Sequence, residues 1–301
     1  MCPGLAVDPE SVLFGASLVM QRVRDQIATL AALDWHVRIE GPSGSGKSVA
    51  ARVLHGLSSR AQAPFVVCSV AMLPDNAELA ELVGHRRGAF TGAVEDRAGK
   101  VEDAHTGTLF LEELGTASPR TQEILLQLVD ERTFSRMGEN RVRSVDVRFV
   151  SATNERLETL VGQGRFRADL YYRLGLLLIQ MPALTEHRED IPDLVDLLLA
   201  HQCRQAGVAL PPLSPEALER LVAFPWPGNV RQLSSALQYF VAFGRLPDSI
   251  ARNRGGAGWR DQMTDVLGRC GGNKAATARV LGVSRTTLHR ELTRRRGLHT
   301  G

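Results

Sequence analysis

Residues 36–57 read HVRIEGPSGSGKSVAARVLHGL, and this stretch decides the fold. The apolar run at its start predicts a buried strand, and the apolar spacing after Lys47 predicts a helix. Between them stands the phosphate-binding pattern GxxxxGK followed by Ser, the P-loop. Its glycines let backbone N–H groups surround phosphates, and the helix N-terminus adds the positive end of its dipole. A glycine turn with only a structural purpose is the alternative, and the flanking strand and helix argue against it. The residues predicted to bind nucleotide here are Gly41, Gly44, Ser45, Gly46, Lys47 and Ser48.

Two of these side chains, and a pair of carboxylates further on, have predicted roles in phosphate chemistry. Lys47 should contact the β- and γ-phosphates of ATP, and Ser48 should ligate Mg²⁺. The run TLFLEE, residues 108–113, predicts an apolar strand that ends in two carboxylates. We assign Glu112 to the metal and the nucleotide, and Glu113 to activation of the attacking water. Paired glutamates also occur at solvated strand edges, but a P-loop about 65 residues upstream favours catalysis.

Short apolar runs alternate with helical stretches from Val37 to Met181, which predicts a parallel α/β sheet. One run, VRFVSATN, ends in Thr153 and Asn154 at the edge that holds the P-loop. These polar groups could sense the γ-phosphate and act in catalysis, although Asn after a strand is also a common turn residue. After Pro182, amphipathic segments predict a smaller all-helical domain.

The composition favours a folded chain of two or three domains. Its 301 residues are 44% hydrophobic and 23% charged, which is enough for each domain to bury a core. The sequence has no signal-peptide pattern and no run of about 18 apolar residues, so we expect a cytoplasmic protein without membrane contact. The four cysteines, at positions 2, 68, 203 and 270, form no CxxC pair, which argues against a disulfide framework and a zinc site.

The end of the chain is basic and carries a helical pattern. After Ile250 there are 11 Lys and Arg against 3 Asp and Glu, a net charge of +8, whereas residues 1–250 carry 25 against 30, a net charge of −5. This excess predicts contact with a polyanion, although a basic tail can also serve only solubility. In GGNKAATARVLGVSRTTLHRELTRRRG, Gly282 suits a tight turn, which predicts a helix-turn-helix; a hairpin that only dimerises is the alternative. The predicted DNA contacts are Ser284, Arg285, Thr286, Thr287, His289 and Arg290.

One hexapeptide, GAFTGA, carries a specific resemblance. Together with the motifs above, it makes the sequence similar to the bacterial enhancer-binding proteins that activate sigma-54 RNA polymerase. In that family the motif lies on a loop inserted into an AAA+ fold and contacts sigma-54, and the C-terminal segment resembles the family's Fis-type helix-turn-helix. The implied sigma-54 contacts are Gly88, Ala89, Phe90, Thr91, Gly92 and Ala93.

Further segments extend the resemblance along most of the chain. GRFRADLYYRL resembles the arginine-finger segment, which implies that Arg167 and Arg173 act in catalysis on a neighbouring subunit's ATP. SVLFGAS resembles the segment near the adenine, around Phe14 and Gly15, and FPWPGNVRQL resembles the sensor II helix, which implies a nucleotide contact for Arg231.

The resemblance implies an architecture and a mechanism. We expect an AAA+ α/β ATPase domain at 11–182, a helical lid domain at 183–245, a linker at 246–258 and a helix-turn-helix DNA-binding domain at 259–301. A homo-oligomeric ring, expected to be hexameric, would hydrolyse ATP and remodel sigma-54 polymerase from the closed to the open promoter complex while bound at an upstream activating site. Only about ten residues precede the ATPase domain, so we expect no N-terminal receiver domain and look to a separate regulatory protein for control.

The sequence departs from the family pattern at several positions. Glu112 stands where Asp is usual, Ser69 stands where Asn is common, and Val83 and Arg86 replace Phe and Glu before the hexapeptide. Because Mg²⁺ geometry is demanding, the longer carboxylate could slow hydrolysis. A DNA-binding regulator that binds ATP but hydrolyses it poorly is therefore one alternative, and an AAA+ remodeller of another substrate, such as DNA, is a second.

Overall fold

The computed structural model describes residues 13–70, 75–175, 177–251, 266–268, 270, 272–280, 288 and 292. The strands are β1 (Val37–Glu40), β2 (Phe65–Ser69), β3 (Gly84–His85), β4 (Arg97–Ala98), β5 (Thr108–Glu112), β6 (Thr133–Phe134), β7 (Arg143–Ser144), β8 (Arg148–Thr153) and β9 (Leu178–Gln180). The helices are α1 (Leu18–Ala31), α2 (Lys47–Gly56), α3 (Asp75–Val83), α4 (Lys100–Asp103), α5 (Pro119–Glu131), α6 (Leu157–Gly162), α7 (Ala168–Arg173), α8 (Ile191–Ala206), α9 (Pro215–Ala223), α10 (Asn229–Phe243), α11 (Asp248–Ala251) and α12 (Lys274–Val280).

Five strands form one sheet in the order β2-β5-β8-β1-β9. Every neighbouring pair in it is parallel, which confirms the predicted parallel α/β sheet. The register sets Glu40 opposite Thr153 and Ser69 opposite Glu112. The carboxyl ends of β1, β2, β5 and β8 therefore meet at one edge, where the P-loop begins.

The two faces of the sheet have separate cores, because side chains alternate along each strand. Val37, Ile39, Phe110 and Val150 pack with α1 and α2 on one face. Leu109, Leu111 and Phe149 pack on the other face with apolar side chains of α5, α6 and α7. Two short antiparallel hairpins, β3–β4 and β6–β7, extend the fold beyond the sheet.

The described residues form two compact units. The first contains those up to Leu194 together with Pro227–Gln232, and the second contains Val195–Trp226 and those from Leu233 onward. The second unit is helical, as predicted for the region after Pro182. Within it the buried Trp226 indole donates to Leu221 O at 2.7 Å and packs edge-on against Phe224.

Near the C-terminus, α12 begins with an Asn cap, since Asn273 Oδ1 accepts the backbone N–H groups of Ala275 and Ala276. All six predicted DNA contacts, residues 284–287, 289 and 290, lie outside the described residues. In the described part of the chain, no helix combines the length and apolar character needed to cross a bilayer. Cys68, Cys203 and Cys270 are free thiols.

Arg60 holds the amino-terminal ends of several strands together. Its guanidinium donates two hydrogen bonds of 2.7 Å to the carboxylate of Asp34, which precedes β1. It donates a third, of 2.8 Å, to Asp146, which precedes β8. It also donates to Gly107 O, just before β5. The Arg60 side chain is only 12% exposed, and its hydrogen bond holds the pKa of Asp34 below the usual 3.8. We call these groups the Arg60 staple.

Replacing Arg60 is expected to weaken the first unit. Arg60→Ala leaves Asp34, Asp146 and Gly107 O without their shared donor, a loss of about 2 kcal/mol, or about 4–8 °C in Tm for a domain of this size. Because the pKa of Asp34 is lower in the folded chain, the part of this stabilisation that comes from the Arg60–Asp34 pair is present above pH 3.8 and fades as the pH falls below it. Thermal unfolding across pH measures both effects.

The matched control is Arg165→Ala. Arg165 pairs with Glu155 at 3.3 Å, but both side chains are about half exposed, so its loss should cost less than about 1 kcal/mol. Equal Tm shifts for the two variants would contradict a special role for the Arg60 staple.

Candidate nucleotide site

The P-loop runs from Gly41 to Ser48, between the end of β1 and the start of α2. Gly46 caps α2 with φ 95°, a backbone conformation that L side chains rarely adopt. A Cβ on Gly41 would lie 2.6 Å from Met181 O, and one on Gly44 would lie 2.3 Å from Gly228 O. Glycine is thus required at these three positions by close backbone approach and by φ. Ser45, also predicted to bind nucleotide, is buried in the loop.

Lys47 lies inside this loop. Its ammonium donates to Gly41 O at 2.8 Å and to Pro42 O at 3.1 Å. Burial lowers the pKa of Lys47 from its usual 10.5, and the charge of Glu113 acts in the opposite direction. The positive charge is therefore held at the loop that phosphates would enter.

Ser48 and Glu112 meet across the site. Ser48 Oγ donates to Glu112 Oε1 at 2.5 Å, although 64 residues separate them in the chain. A hydroxyl and a carboxylate are oxygen ligands that Mg²⁺ accepts, with phosphate oxygens and water completing its shell, so the pair fits the predicted metal role. When bound with ATP, the ion would neutralise charge on the phosphate oxygens. Among the described residues no group of three or more His, Cys, Asp or Glu could hold a metal by itself.

The other predicted groups at this edge differ in their hydrogen bonds and in their exposure to solvent. Glu113 has φ 58°, which is unusual for a residue with a side chain. Its negative charge acts to raise the pKa of Lys47. The buried Thr153 hydroxyl donates to Glu155 O and accepts from Glu155 N, so it is engaged in its own turn. Asn154 is exposed. Of the two, Asn154 has the side chain that is open to solvent.

The segment around Phe14 and Gly15 is held by a buried carboxylate that sequence reasoning missed. Asp190 accepts from Ser17 N at 2.8 Å, from Ser17 Oγ at 2.6 Å and from His187 Nδ1 at 2.9 Å. A Cβ on Gly15, whose φ is 137°, would lie 2.6 Å from Asp190 Oδ2. Phe14 is half-buried beside it. The polar run HRED just before an apolar helix was the only sequence signal for Asp190.

The start of α10 contacts the P-loop through two residues. Arg231 Nη1 donates to Ser43 Oγ at 3.1 Å, and Arg231 N donates to Gly44 O. Asn229, which sequence reasoning also missed, donates to Ser43 O and accepts from Leu184 N, both at 2.8 Å. It is 3% exposed and has φ 49°. The Pro-Gly-Asn triplet before a helix was the available signal. Arg231 thus contacts the P-loop, and its contact with the nucleotide stays a prediction.

The two predicted arginine fingers lie at the ends of α7, where Arg167 is the capping residue and Arg173 is the last residue. Arg167 pairs with Asp169 at 2.8 Å and with Glu123 at 3.3 Å, and Arg173 pairs with Asp130 at 2.8 Å. Their side chains remain 41% and 64% exposed. In a single chain both therefore bind surface carboxylates of their own subunit.

The GAFTGA hexapeptide lies in the loop that joins β3 to β4. Gly88 and Gly92 have positive φ, and Gly88 N donates to Ala93 O at 2.8 Å, which closes the loop. Phe90 is half-buried, edge-on to His85 at 5.0 Å between ring centroids, whereas Thr91 is exposed. Ala89 packs against Gly138 of the β6–β7 hairpin. The hexapeptide is thus a structured loop.

Both departures next to this loop are accommodated. Val83 is buried in the core, and Arg86 forms an ion pair with Asp96, which also accepts from Arg87 N at 2.8 Å.

A P-loop on a central parallel strand, hydrogen-bonded to an acidic strand end, defines a P-loop nucleotide-binding protein. The fold is that of the AAA+ ATPases: a chain of Hsp104 solved with ATPγS and FITC casein matches with a TM-score of 0.56 at 18% identity, over 77% of this chain and 45% of that one. Three family models match the sequence: "Sigma-54 interaction domain" at 13–180, "AAA+ ATPase lid domain" at 185–250 and "Bacterial regulatory protein, Fis family" at 260–294. The chain belongs to the sigma-54-dependent transcriptional activator family, with an AAA+ domain, a helical lid and a Fis-type helix-turn-helix.

Similarity to individual proteins supports the same family. The transcriptional regulatory protein ZraR of Salmonella typhimurium is 39% identical over 94% of this chain and 68% of its own. The C4-dicarboxylate transport regulator DctD of Pseudomonas aeruginosa is 41% identical over 95% and 64%. The structure of NtrX from Brucella abortus in complex with ADP is 33% identical, with a TM-score of 0.73 over 94% of this chain and 68% of NtrX. The chain thus spans about two thirds of the length of these relatives.

Asn229 provides a test of the site. Asn229→Ala leaves Ser43 O and Leu184 N–H without their partner, at a cost of about 1 kcal/mol or more each, and loosens the P-loop. We expect the Kd for ATP to rise about 10-fold, measured by calorimetric titration of the full chain. Asn140→Ala, at an exposed Asn of the β6–β7 loop, is the control that should bind normally. Equal affinities in both variants would rule out a support role for Asn229.

Proposed function

We propose that this protein is a sigma-54-dependent transcriptional activator in which a ring of subunits hydrolyses ATP. Hydrolysis drives the GAFTGA loop, residues 88–93, to remodel sigma-54 RNA polymerase from the closed to the open promoter complex. The observation that carries the proposal is this loop, which joins the two strands of the β3–β4 hairpin in a domain that also holds a P-loop and an acidic strand end. The proposed boundaries are 11–182 for the ATPase, 183–245 for the lid, 246–258 for the linker and 259–301 for the helix-turn-helix.

In each subunit the proposed catalytic groups come from adjoining strand ends. Lys47 and the P-loop amides bind the phosphates, and Ser48 with Glu112 ligates Mg²⁺. Glu113 would orient and deprotonate the attacking water. Thr153 and Asn154, at the neighbouring strand end, would sense the γ-phosphate. Phe14, Gly15 and Arg231 lie on the segments proposed to surround the rest of the nucleotide.

The proposed ring supplies the remaining charge in trans. Arg167 and Arg173 would contact the ATP of the next subunit and stabilise the charge of the transferred phosphoryl group. Their present pairs are with exposed carboxylates, and such pairs contribute about 0–1 kcal/mol. Exchanging them for a phosphate across a subunit interface therefore costs little, which supports hydrolysis that depends on assembly.

The proposed DNA contact is the C-terminal segment with Ser284, Arg285, Thr286, Thr287, His289 and Arg290, and its net positive charge favours phosphate binding. Upstream activating DNA would hold the ring near its promoter. The proposed compartment is the cytoplasm, where polymerase and promoter are found.

An alternative activity follows from one contact. Glu112, one methylene longer than Asp, already reaches Ser48 at 2.5 Å, and its neighbour in the register is the short Ser69. A metal that must enter between these oxygens would bind less readily, which favours an ATP-binding regulator with slow hydrolysis.

ATP turnover across a protein concentration series distinguishes the ring ATPase from the slowly hydrolysing regulator. We expect turnover per subunit to rise cooperatively with concentration and to fall by about 10³-fold or more in Arg167→Ala. Glu113→Ala should lose turnover as well, because no base remains to activate water. Val208→Ala, at an exposed residue of the second unit, is a matched control expected to behave as wild type.

ATP binding without turnover would reject the motor and favour the slow regulator. Recovery of turnover in Glu112→Asp would then trace the defect to the longer carboxylate.

The loop can be tested apart from hydrolysis. Phe90→Ala removes the half-buried ring of the hexapeptide, far in sequence from the P-loop, so ATP turnover should stay within about twofold of wild type. Open-complex formation with purified sigma-54 polymerase should fall by at least about 10-fold, as expected when an interface loses an aromatic anchor. Val94→Ala, at a 78% exposed position of the same loop, is the control. Full activation by Phe90→Ala would point instead to another remodelling substrate.

A further inference from the structure

A charged pair interrupts one core of the first unit. On the face of the sheet where β5 and β8 place Leu109, Leu111 and Phe149, the corresponding positions of β1 carry Arg38 and Glu40. Both are almost completely buried, at 2% and 3% exposure. Charged side chains are rarely buried in the middle of a parallel sheet unless they are paired, so the pair calls for an explanation.

Arg38 is the centre of a cluster that joins β1 to two helices. Its Nε lies 2.9 Å from Glu40 Oε1, and its Nη2 donates to Glu158 Oε1 of α6 at 2.8 Å. Tyr171 of α7 donates its hydroxyl to the same Glu158 oxygen at 2.7 Å. The guanidinium also lies over the Tyr171 ring, 5.0 Å from its centroid. We call Arg38, Glu40, Glu158 and Tyr171 the Arg38 cluster.

The cluster contacts both α7 and the segment that follows it. Besides Tyr171 inside the helix, Arg38 Nη1 lies 3.4 Å from the carbonyl oxygen of Gly175, two residues beyond the helix end. The helix has only six residues, and Arg167 and Arg173 stand at its two ends. A change in its position or tilt therefore moves both arginines.

The charges of the Arg38 cluster favour a fixed arrangement of its side chains. Hydrogen bonds from Tyr171 and Arg38 hold the pKa of Glu158 below its usual value, and burial raises the pKa of Glu40. Removing one partner leaves the buried guanidinium poorly compensated, which is costly. Glu40 is the last residue of β1 and is followed directly by Gly41, so the same strand carries the P-loop and the support of α7.

We propose that the Arg38 cluster positions α7 on the P-loop strand and thereby sets where Arg167 and Arg173 stand for the neighbouring subunit. This inference rests on the proposed ring mechanism. Its members are positioning residues, because they act through α7 and not on ATP.

Two variants test the cluster with little change in volume. Tyr171→Phe removes only the hydroxyl, and Glu158→Gln removes the charge and replaces one carboxylate oxygen with an amide NH₂ group. Since a displacement of about 1 Å can cost about 10²-fold in rate, we expect kcat for ATP turnover to fall about 10- to 100-fold. The KM for ATP, the Kd for ATP and ring assembly should stay at wild-type values. Tyr172→Phe, the neighbouring tyrosine whose side chain is 70% exposed, is the control.

Rings that mix two kinds of variant subunit show whether the defect lies in the nucleotide site or in the arginines presented by the neighbouring subunit. Lys47→Ala subunits cannot hold ATP but still present their own arginines. Added to Tyr171→Phe subunits, they should restore turnover in part, because an intact nucleotide site beside a Lys47→Ala subunit then meets correctly placed fingers. Subunits that combine Lys47→Ala with Arg167→Ala should restore nothing. A defect only in overall stability would not be rescued in trans.

The outcomes decide the proposal separately from the mechanism on which it rests. Wild-type kcat in both variants, or a parallel loss of ATP affinity, overturns the positioning role. If the wild-type chain itself has no turnover, the ring mechanism fails, and hydrogen exchange of the nucleotide-free chain decides the cluster. Faster exchange at amides 168–173 in both variants, with 75–83 unchanged, supports placement of α7 by the cluster. Unchanged exchange at 168–173 overturns it.

Discussion

Parallel hydrogen bonding between β1, β5 and β8 is the constraint on which the site depends. It aligns the carboxyl ends of strands that are far apart in the sequence, so Gly41, Glu112 and Thr153 begin their loops side by side. The P-loop alone would be a flexible glycine turn. The register of β1 on β8, and of β8 on β5, is what brings Ser48 within hydrogen-bond distance of Glu112. A shift of one residue in β5 would send the Glu112 side chain to the opposite face.

Much of the fold and part of the site could be predicted from local patterns. The P-loop, the TLFLEE strand and the helical second unit are each encoded by neighbouring residues, and the parallel sheet follows from their order. Asp190, Asn229 and the Arg38 cluster could not be predicted in this way. Ser17 and Asp190 are 173 positions apart, and Asn229 and Ser43 are 186 apart, and no periodicity relates residues at such separations. For Thr153 the sequence predicts the place at the strand end, but the hydrogen bonds of its hydroxyl with Glu155 could not be predicted from the pattern.

Three of the four residues that depart from the family pattern have partners within the chain. Glu112 accepts a hydrogen bond from the Ser48 hydroxyl, Arg86 pairs with Asp96, and Val83, the last residue of α3, is buried in the core. Each departure is therefore compatible with the fold. Their effect falls on chemistry and contact, where a carboxylate one methylene longer or a reversed charge changes what an incoming metal or partner meets.

The Arg60 staple lies at the amino ends of the strands, opposite the nucleotide edge. Its partners are 26, 47 and 86 residues from Arg60 in the chain, so the whole staple closes only after β1, β5 and β8 have come together. Contacts that form after the rate-limiting step of folding slow unfolding without speeding folding. Arg60 is thus suited to lengthening the lifetime of the folded state, which gives the sheet kinetic persistence while loops at its other edge exchange partners.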